Sequence, residues 1–146
     1  MAKSSKRKYS LNARRARLTL DRTQVLNEES SFSVVEEYKT IRTNIMFSIP
    51  TDGCKVIGIT SAESLEGKSI NCLNLAITFA ETGSRVLLID CDLRLPKIDR
   101  LLETVAIPGV SNVLVGLSTI DEAIRHTEHS GLDVLLSGII PPNPSE

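Results

Sequence analysis

The sequence predicts an α/β fold, a mostly parallel sheet flanked by helices, on three observations. Apolar runs of strand length alternate with stretches of helical period. The run Val86-Leu87-Leu88-Ile89 is continuously apolar, as strands covered on both faces are. Strand-like patterns at Lys55–Thr60 and Val86–Ile89 each run into a polar loop and then a helix. At 146 residues and 41% hydrophobic, the chain can bury one core, which excludes a wholly disordered chain and a collagen-like fibre. No apolar run approaches the ~18 residues of a membrane-spanning helix, and the basic start lacks the apolar stretch of a secretory signal, so a cytoplasmic chain is expected.

The elements follow in order. Residues 1–30 read as a basic, disordered tail, with residues 31–146 forming the domain. Residues 1–22 carry eight basic side chains against Asp21 alone, a net +7, and the other 124 residues sum to −8. Such a tail suits weak contact with an anionic membrane. Tyr9 is its only aromatic residue for stacking on bases, so no nucleic-acid partner is expected. Val34–Phe47 predicts the first helix, with Ser33 and Glu36 as a capping box. Lys55–Thr60 predicts a strand, Ser61–Gly67 a polar turn, and Lys68–Glu81 a helix stopped by Gly83. Val86–Ile89 is the second strand. Short helices are expected at Lys97–Leu102, Val110–Val115 and Ile120–Arg125, the last capped by Thr119 and Glu122. Leu132–Leu136 is the third strand, and Pro141–Pro144 an extended connection. Cys54, Cys72 and Cys91 have no metal-ligand spacing and read as reduced thiols packed as small hydrophobes.

Two segments carry chemistry. Ser61-Ala62-Glu63-Ser64-Leu65-Glu66-Gly67-Lys68-Ser69 lies between a predicted strand and helix, the setting of a phosphate-binding P-loop, although Ala62 stands where GxxxxGK[ST] has its first glycine. Ser64, Leu65, Glu66, Gly67, Lys68, Ser69 and Ile70 would surround the phosphates, with Lys68 on the β- and γ-phosphates and the Ser69 hydroxyl on Mg²⁺. Asp90-Cys91-Asp92 follows the buried strand at the sheet edge where ligands bind. One carboxylate would serve the Mg²⁺ shell and the other would accept a proton from an attacking hydroxyl. In the alternative, Asp90 caps the following turn and Asp92 pairs with Arg94 or Arg100. The two segments, about 20 residues apart and each at a strand end, support one another and imply a nucleotide and a metal on a P-loop type of α/β fold.

With these residues in view, the sequence resembles the bacterial tyrosine kinases that control capsule and exopolysaccharide synthesis. The resemblance runs from about Val34 to Glu146. It rests on EEYKTIRTNIMFS (Glu36–Ser48), ITSAESLEGKS (Ile59–Ser69), NLAITFAETG (Asn74–Gly83), VLLIDCDLRLPKIDRLL (Val86–Leu102) and LDVLLSGIIPPNPSE (Leu132–Glu146). It implies an ATP-dependent protein-tyrosine kinase with Lys68, Asp90 and Asp92 catalytic, and Ser69, Asp90 and Asp92 at the metal. It also implies self-association through the helix bearing Glu36, Lys39 and Arg42, tyrosine-containing protein substrates, and peripheral membrane association through a membrane-anchored modulator.

The sequence departs from the family pattern at several positions. Ser64-Leu65 replaces Pro-Gly, Ile70 replaces Thr, and Lys39 replaces Arg. The family continues past PPNPSE into a second carboxylate-bearing strand and a tyrosine-rich tail, so the chain is expected to be the N-terminal part of a longer kinase, with an incomplete sheet. The alternatives are a ParA/MinD-like ATPase switch, which would carry lysine where Glu63 stands, and a non-catalytic truncated regulator.

Overall fold

The computed structural model describes residues 21–50, 53–63 and 65–144. Its elements are α1 (Phe32–Ser48), α2 (Lys68–Ala80), β1 (Val86–Ile89), α3 (Ile98–Leu101), α4 (Val110–Leu114), α5 (Ile120–Ala123), β2 (Ile124–His126) and β3 (Leu132–Leu135). The sheet has three strands in the order β1-β3-β2. β1 and β3 run parallel, with Val86 opposite Leu132 and Ile89 opposite Leu135. β2 is antiparallel to β3, so the sheet is mixed rather than mostly parallel.

The core is the line where α2 crosses this sheet. Leu73, Ala76, Ile77 and Ala80 recur at helical spacing on one stripe of α2 and meet Leu88, Leu132 and Val134. Ile98 and Leu101 of α3 and Leu136 beyond β3 complete the cluster. The three-to-four-residue period therefore fixes which face of α2 meets the sheet, and so where Lys68 at its start is carried.

Several expectations are corrected. Lys55–Thr60 is not a strand: no ladder pairs it among the described residues, and Val56 is 95% exposed. Strand propensity needs a neighbour to accept its hydrogen bonds, and none is adjacent among the described residues. β1 is covered on one face only, since Leu88 is buried while Leu87 and Ile89 are exposed. β2 replaces the end of the predicted Ile120–Arg125 helix, although the Thr119–Glu122 capping box forms as expected. α1 starts two residues early, at N-cap Ser31, without a side-chain cap, and Glu36 instead pairs with Lys39 at 2.9 Å.

The tail boundary also moves. Residues 1–20 lie outside the described residues, but residues 21–30 pack on the body, with Leu26 4% exposed in the core. Asn74 of α2 holds this strap: its Oδ1 accepts from Leu26 N at 2.9 Å and its Nδ2 donates to Gln24 O at 2.8 Å. Arg22 Nε donates to Arg100 O at 2.8 Å. Of the cysteines, Cys72 is partly buried against the core, whereas Cys54 and Cys91 are exposed rather than packed. Among the described residues no helix is long and apolar enough to cross a membrane.

Candidate functional site

The loop after residue 60 turns into α2 through Gly67, whose φ of +85° is left-handed and open to glycine without penalty. A Cβ there would sit 3.2 Å from Asn71 Nδ2. Leu65 is also left-handed, at φ +74°, a conformation costing a residue with a Cβ about 1–2 kcal/mol. Beyond Gly67, the first-turn amides of Lys68, Ser69 and Ile70 have no partner within the helix, as at any helix start. Glu66 Oε2 accepts from Glu63 N at 3.1 Å and steadies the turn. Ser64 lies outside the described residues.

Opposite this loop, the chain leaves β1 through Asp90 and Asp92, and the two carboxylates do different work. Asp90, 7% exposed, accepts from Asp92 N at 3.1 Å and from Ile98 N at 3.4 Å, tying the loop to the start of α3. Burial pushes its carboxyl above the ordinary value, and these backbone hydrogen bonds only partly offset that. Asp92 Oδ1 accepts from Leu95 N at 3.0 Å and Arg94 N at 3.3 Å, while Oδ2 lies 3.1 Å from Lys68 Nζ. Burial alone would raise Asp92, but the Leu95 hydrogen bond, the Lys68 hydrogen bond and charge, and the Arg94 hydrogen bond together carry it below the ordinary value. The turn-capping alternative thus describes Asp90, while Asp92 pairs with Lys68 rather than with Arg94 or Arg100 as its ion-pair partner.

The loop and Asp92 border a pocket of about 880 Å³, lined by Gly67, Lys68, Ser69 and Ile70 on one side and by Asp92 on the other, and Asp90 is not part of its lining. Asp21, Gln24, Arg94, Leu95 and Lys97 line it too, and sequence reasoning missed them. Asp21 reaches Lys97 at 3.9 Å. These residues come from a strap and a loop without periodic pattern, so their convergence leaves no sequence signal. Cys72 stands near Asp90 and Lys68; burial, then the Asp90 charge, raises its thiol, which keeps it protonated.

Glu36, Lys39 and Arg42 lie together on α1, away from the pocket lining. Arg42 Nη1 donates to Thr78 O of α2 at 2.8 Å, and its buried Nε has no partner.

No protein-family model matches the chain. It is 45% identical over 111 residues to the tyrosine-protein kinase YwqD of Bacillus subtilis (strain 168), covering 76% of this chain and 47% of that protein. It is 36% identical to the putative tyrosine-protein kinase CapB of Staphylococcus aureus, over 83% of this chain and 53% of that one. The crystal structure of the chimerical protein CapA2B2 superposes with a TM-score of 0.75 at 39% identity, covering 82% of this chain and 52% of that chain. The chain is a homologue of the bacterial tyrosine-protein kinases. It spans about half the length of the kinases YwqD and CapB.

Proposed function

We propose that the chain supplies the ATP-binding part of a bacterial protein-tyrosine kinase, of P-loop type, acting in capsule or exopolysaccharide synthesis. One observation carries this reading: Lys68 and Asp92, 24 residues apart, meet at 3.1 Å in one pocket. A cation and a carboxylate brought together beside free helix-start amides suit a triphosphate on one side and an acceptor hydroxyl on the other. Lys68 would neutralise γ-phosphate charge. Asp92, already held below its ordinary value, is ionised at neutral pH and suited to orient a tyrosine hydroxyl and take its proton.

The residues present also fit Mg²⁺. Among the described residues there is no cluster of three or more metal-ligating side chains. Mg²⁺ in phosphoryl-transfer sites is held largely by phosphates and water with one or two carboxylates, and Ser69 and Asp92 on the pocket wall offer hard oxygen donors of that kind, whereas Asp90 is buried outside the lining with both oxygens engaged by backbone N–H groups. When bound, the ion would neutralise phosphate charge. Self-association is assigned to α1, whose Phe32 and Phe47 are 80% and 88% exposed, with Glu36, Lys39 and Arg42 between them. A membrane-anchored modulator and tyrosine-bearing protein substrates complete the reading, with the chain held at the membrane by its partner.

The test is binding of a fluorescent ADP analogue together with Mg²⁺-ATP-dependent labelling of a glutamate-tyrosine copolymer. Lys68→Met is expected to weaken analogue binding at least tenfold and to abolish labelling. Equal analogue binding by both proteins would overturn the assignment of the loop.

A further inference from the structure

We infer that Lys97 forms a subsite for an acidic side chain next to the acceptor tyrosine of a protein substrate, and that Asp21 of the strap occupies this subsite in the free chain; this rests on the kinase reading above. Lys97 lines the pocket from the loop that carries Asp92, five residues further on. It therefore stands on the side of the acceptor hydroxyl, across from the Gly67–Ile70 turn assigned to phosphate. Its main chain is fixed. Lys97 O accepts from Arg100 N and Leu101 N at 3.1 Å each, and the next residue, Ile98, donates its N–H to buried Asp90 at 3.4 Å. Ile98 and Leu101 are themselves buried in the core. A rigid backbone thus presents a cationic side chain, 28% exposed, at the pocket wall.

Asp21 shows the chemistry that Lys97 takes. Its Oδ2 lies 3.9 Å from Lys97 Nζ, so a carboxylate from a remote part of the sequence already meets this cation on the pocket wall. At that distance the pair is an ion pair without a direct hydrogen bond. Both side chains keep some exposure, so a substrate carboxylate can take the place of Asp21 at small cost. The strap need not move in the exchange. Arg22 Nε stays on Arg100 O at 2.8 Å, and Asn74 holds Gln24 O at 2.8 Å and Leu26 N at 2.9 Å. Only the Asp21 side chain has to turn away. Lys68, by contrast, is paired with Asp92 and is assigned to the γ-phosphate, so the two lysines serve different anions.

The experiment offers the chain three peptides with Mg²⁺-ATP, each carrying one tyrosine flanked by glutamate, glutamine or lysine, with the glutamate-tyrosine copolymer in parallel. The unaltered chain is expected to favour the glutamate over the glutamine peptide by about fivefold in kcat/KM, expressed in KM. Lys97→Arg keeps that order, and Lys97→Glu inverts it in favour of the lysine peptide, which a merely disturbed loop does not do. Asp21→Asn removes the internal competitor and lowers KM for the glutamate peptide by about threefold. Copolymer labelling with no preference among the peptides, or the same order in Lys97→Glu, overturns the subsite. An unmoved KM in Asp21→Asn overturns the assignment of Asp21. Uniform loss on all three peptides with weakened binding of the ADP analogue puts Lys97 on the nucleotide and overturns the subsite as well. Each of these results leaves the kinase reading standing. Labelling of neither peptide nor copolymer by the unaltered chain overturns both.

Discussion

Lys68 Nζ and Asp92 Oδ2 lie 3.1 Å apart, so the cation that would meet a phosphate is already paired with a carboxylate of the facing loop. Both side chains are only about a third exposed or less, and a pair in that setting is worth about 0.2–1 kcal/mol. Asp92→Asn removes the competitor and one negative charge facing the phosphates. ADP affinity without Mg²⁺ is expected to rise, by up to about fivefold, while copolymer phosphorylation falls at least a hundredfold for want of the proton acceptor. Isothermal titration with ADP and a labelling assay separate the two effects. Binding and transfer lost together would show that Asp92 only holds the loop in shape.

Leu65 at φ +74° offers a sharper probe of the loop. Its side chain is 53% exposed, so truncation sacrifices little burial. Leu65→Gly relieves about 1–2 kcal/mol of left-handed strain, and the extra unfolded-state freedom of glycine takes back ~0.5–1 kcal/mol. Leu65→Val places a β-branched residue in the same conformation and is expected to destabilise. Urea midpoints should order glycine at or above leucine, and leucine above valine. A valine variant as stable as the parent would contradict the left-handed turn.

Much of this arrangement was readable beforehand, and the failures have a common physical cause. The α2 stripe is set by local period, and the apolar runs of β1 and β3 form strands where expected, although β1 is covered on one face only. Lys55–Thr60 has the same strand-like composition, but a strand exists only with a ladder partner, and composition says nothing of where that partner lies. β2 is three residues long, too short for any period to register. Leu26 is an apolar residue in a polar stretch, and its burial depends on Asn74, 48 residues away. Within the site, residue types at Lys68, Asp90 and Asp92 were legible, whereas the division of labour between the carboxylates depended on burial, which spacing does not encode.

That division predicts opposite pH behaviour for the two carboxylates. Burial holds the folded pKa of Asp90 above the ordinary value of 3.8. Its contribution is fully present below 3.8 and is lost as pH rises through the folded value, because ionising it in the buried loop costs more than in the unfolded chain. Asp92 is lowered, so its contribution is present above 3.8 and lost as pH falls through its folded value. Asp90→Asn should therefore remove a decline in stability on the alkaline side of 3.8, and Asp92→Asn should remove a loss on the acid side. Denaturant unfolding from pH 2 to 7 reads both slopes. Identical pH profiles for the two variants would contradict the assignment.

Arg42 sets the attachment of α1, a helix with no buried residue of its own. Its Nη1 donates to Thr78 O at 2.8 Å, and with the Tyr38–Asn71 hydrogen bond it ties α1 to α2. Hydrogen bonds from charged donors contribute about 1.5–3 kcal/mol. Arg42→Ala should cost an amount in that range by urea unfolding, and amide exchange along α1 should quicken more than along α2. Arg42→Lys keeps the charge and one donor, but loses the planar fork, so partial recovery is expected. Since Arg42 also belongs to the helix assigned to self-association, the alanine variant should be compared with Phe47→Ser, which touches only the exposed face. If Phe47→Ser weakens self-association at unchanged monomer stability while Arg42→Ala lowers stability first, Arg42 acts on assembly by holding α1 in place. If Arg42→Ala leaves stability untouched and abolishes self-association, its contact is with the neighbouring copy and the intramolecular bond to Thr78 is incidental.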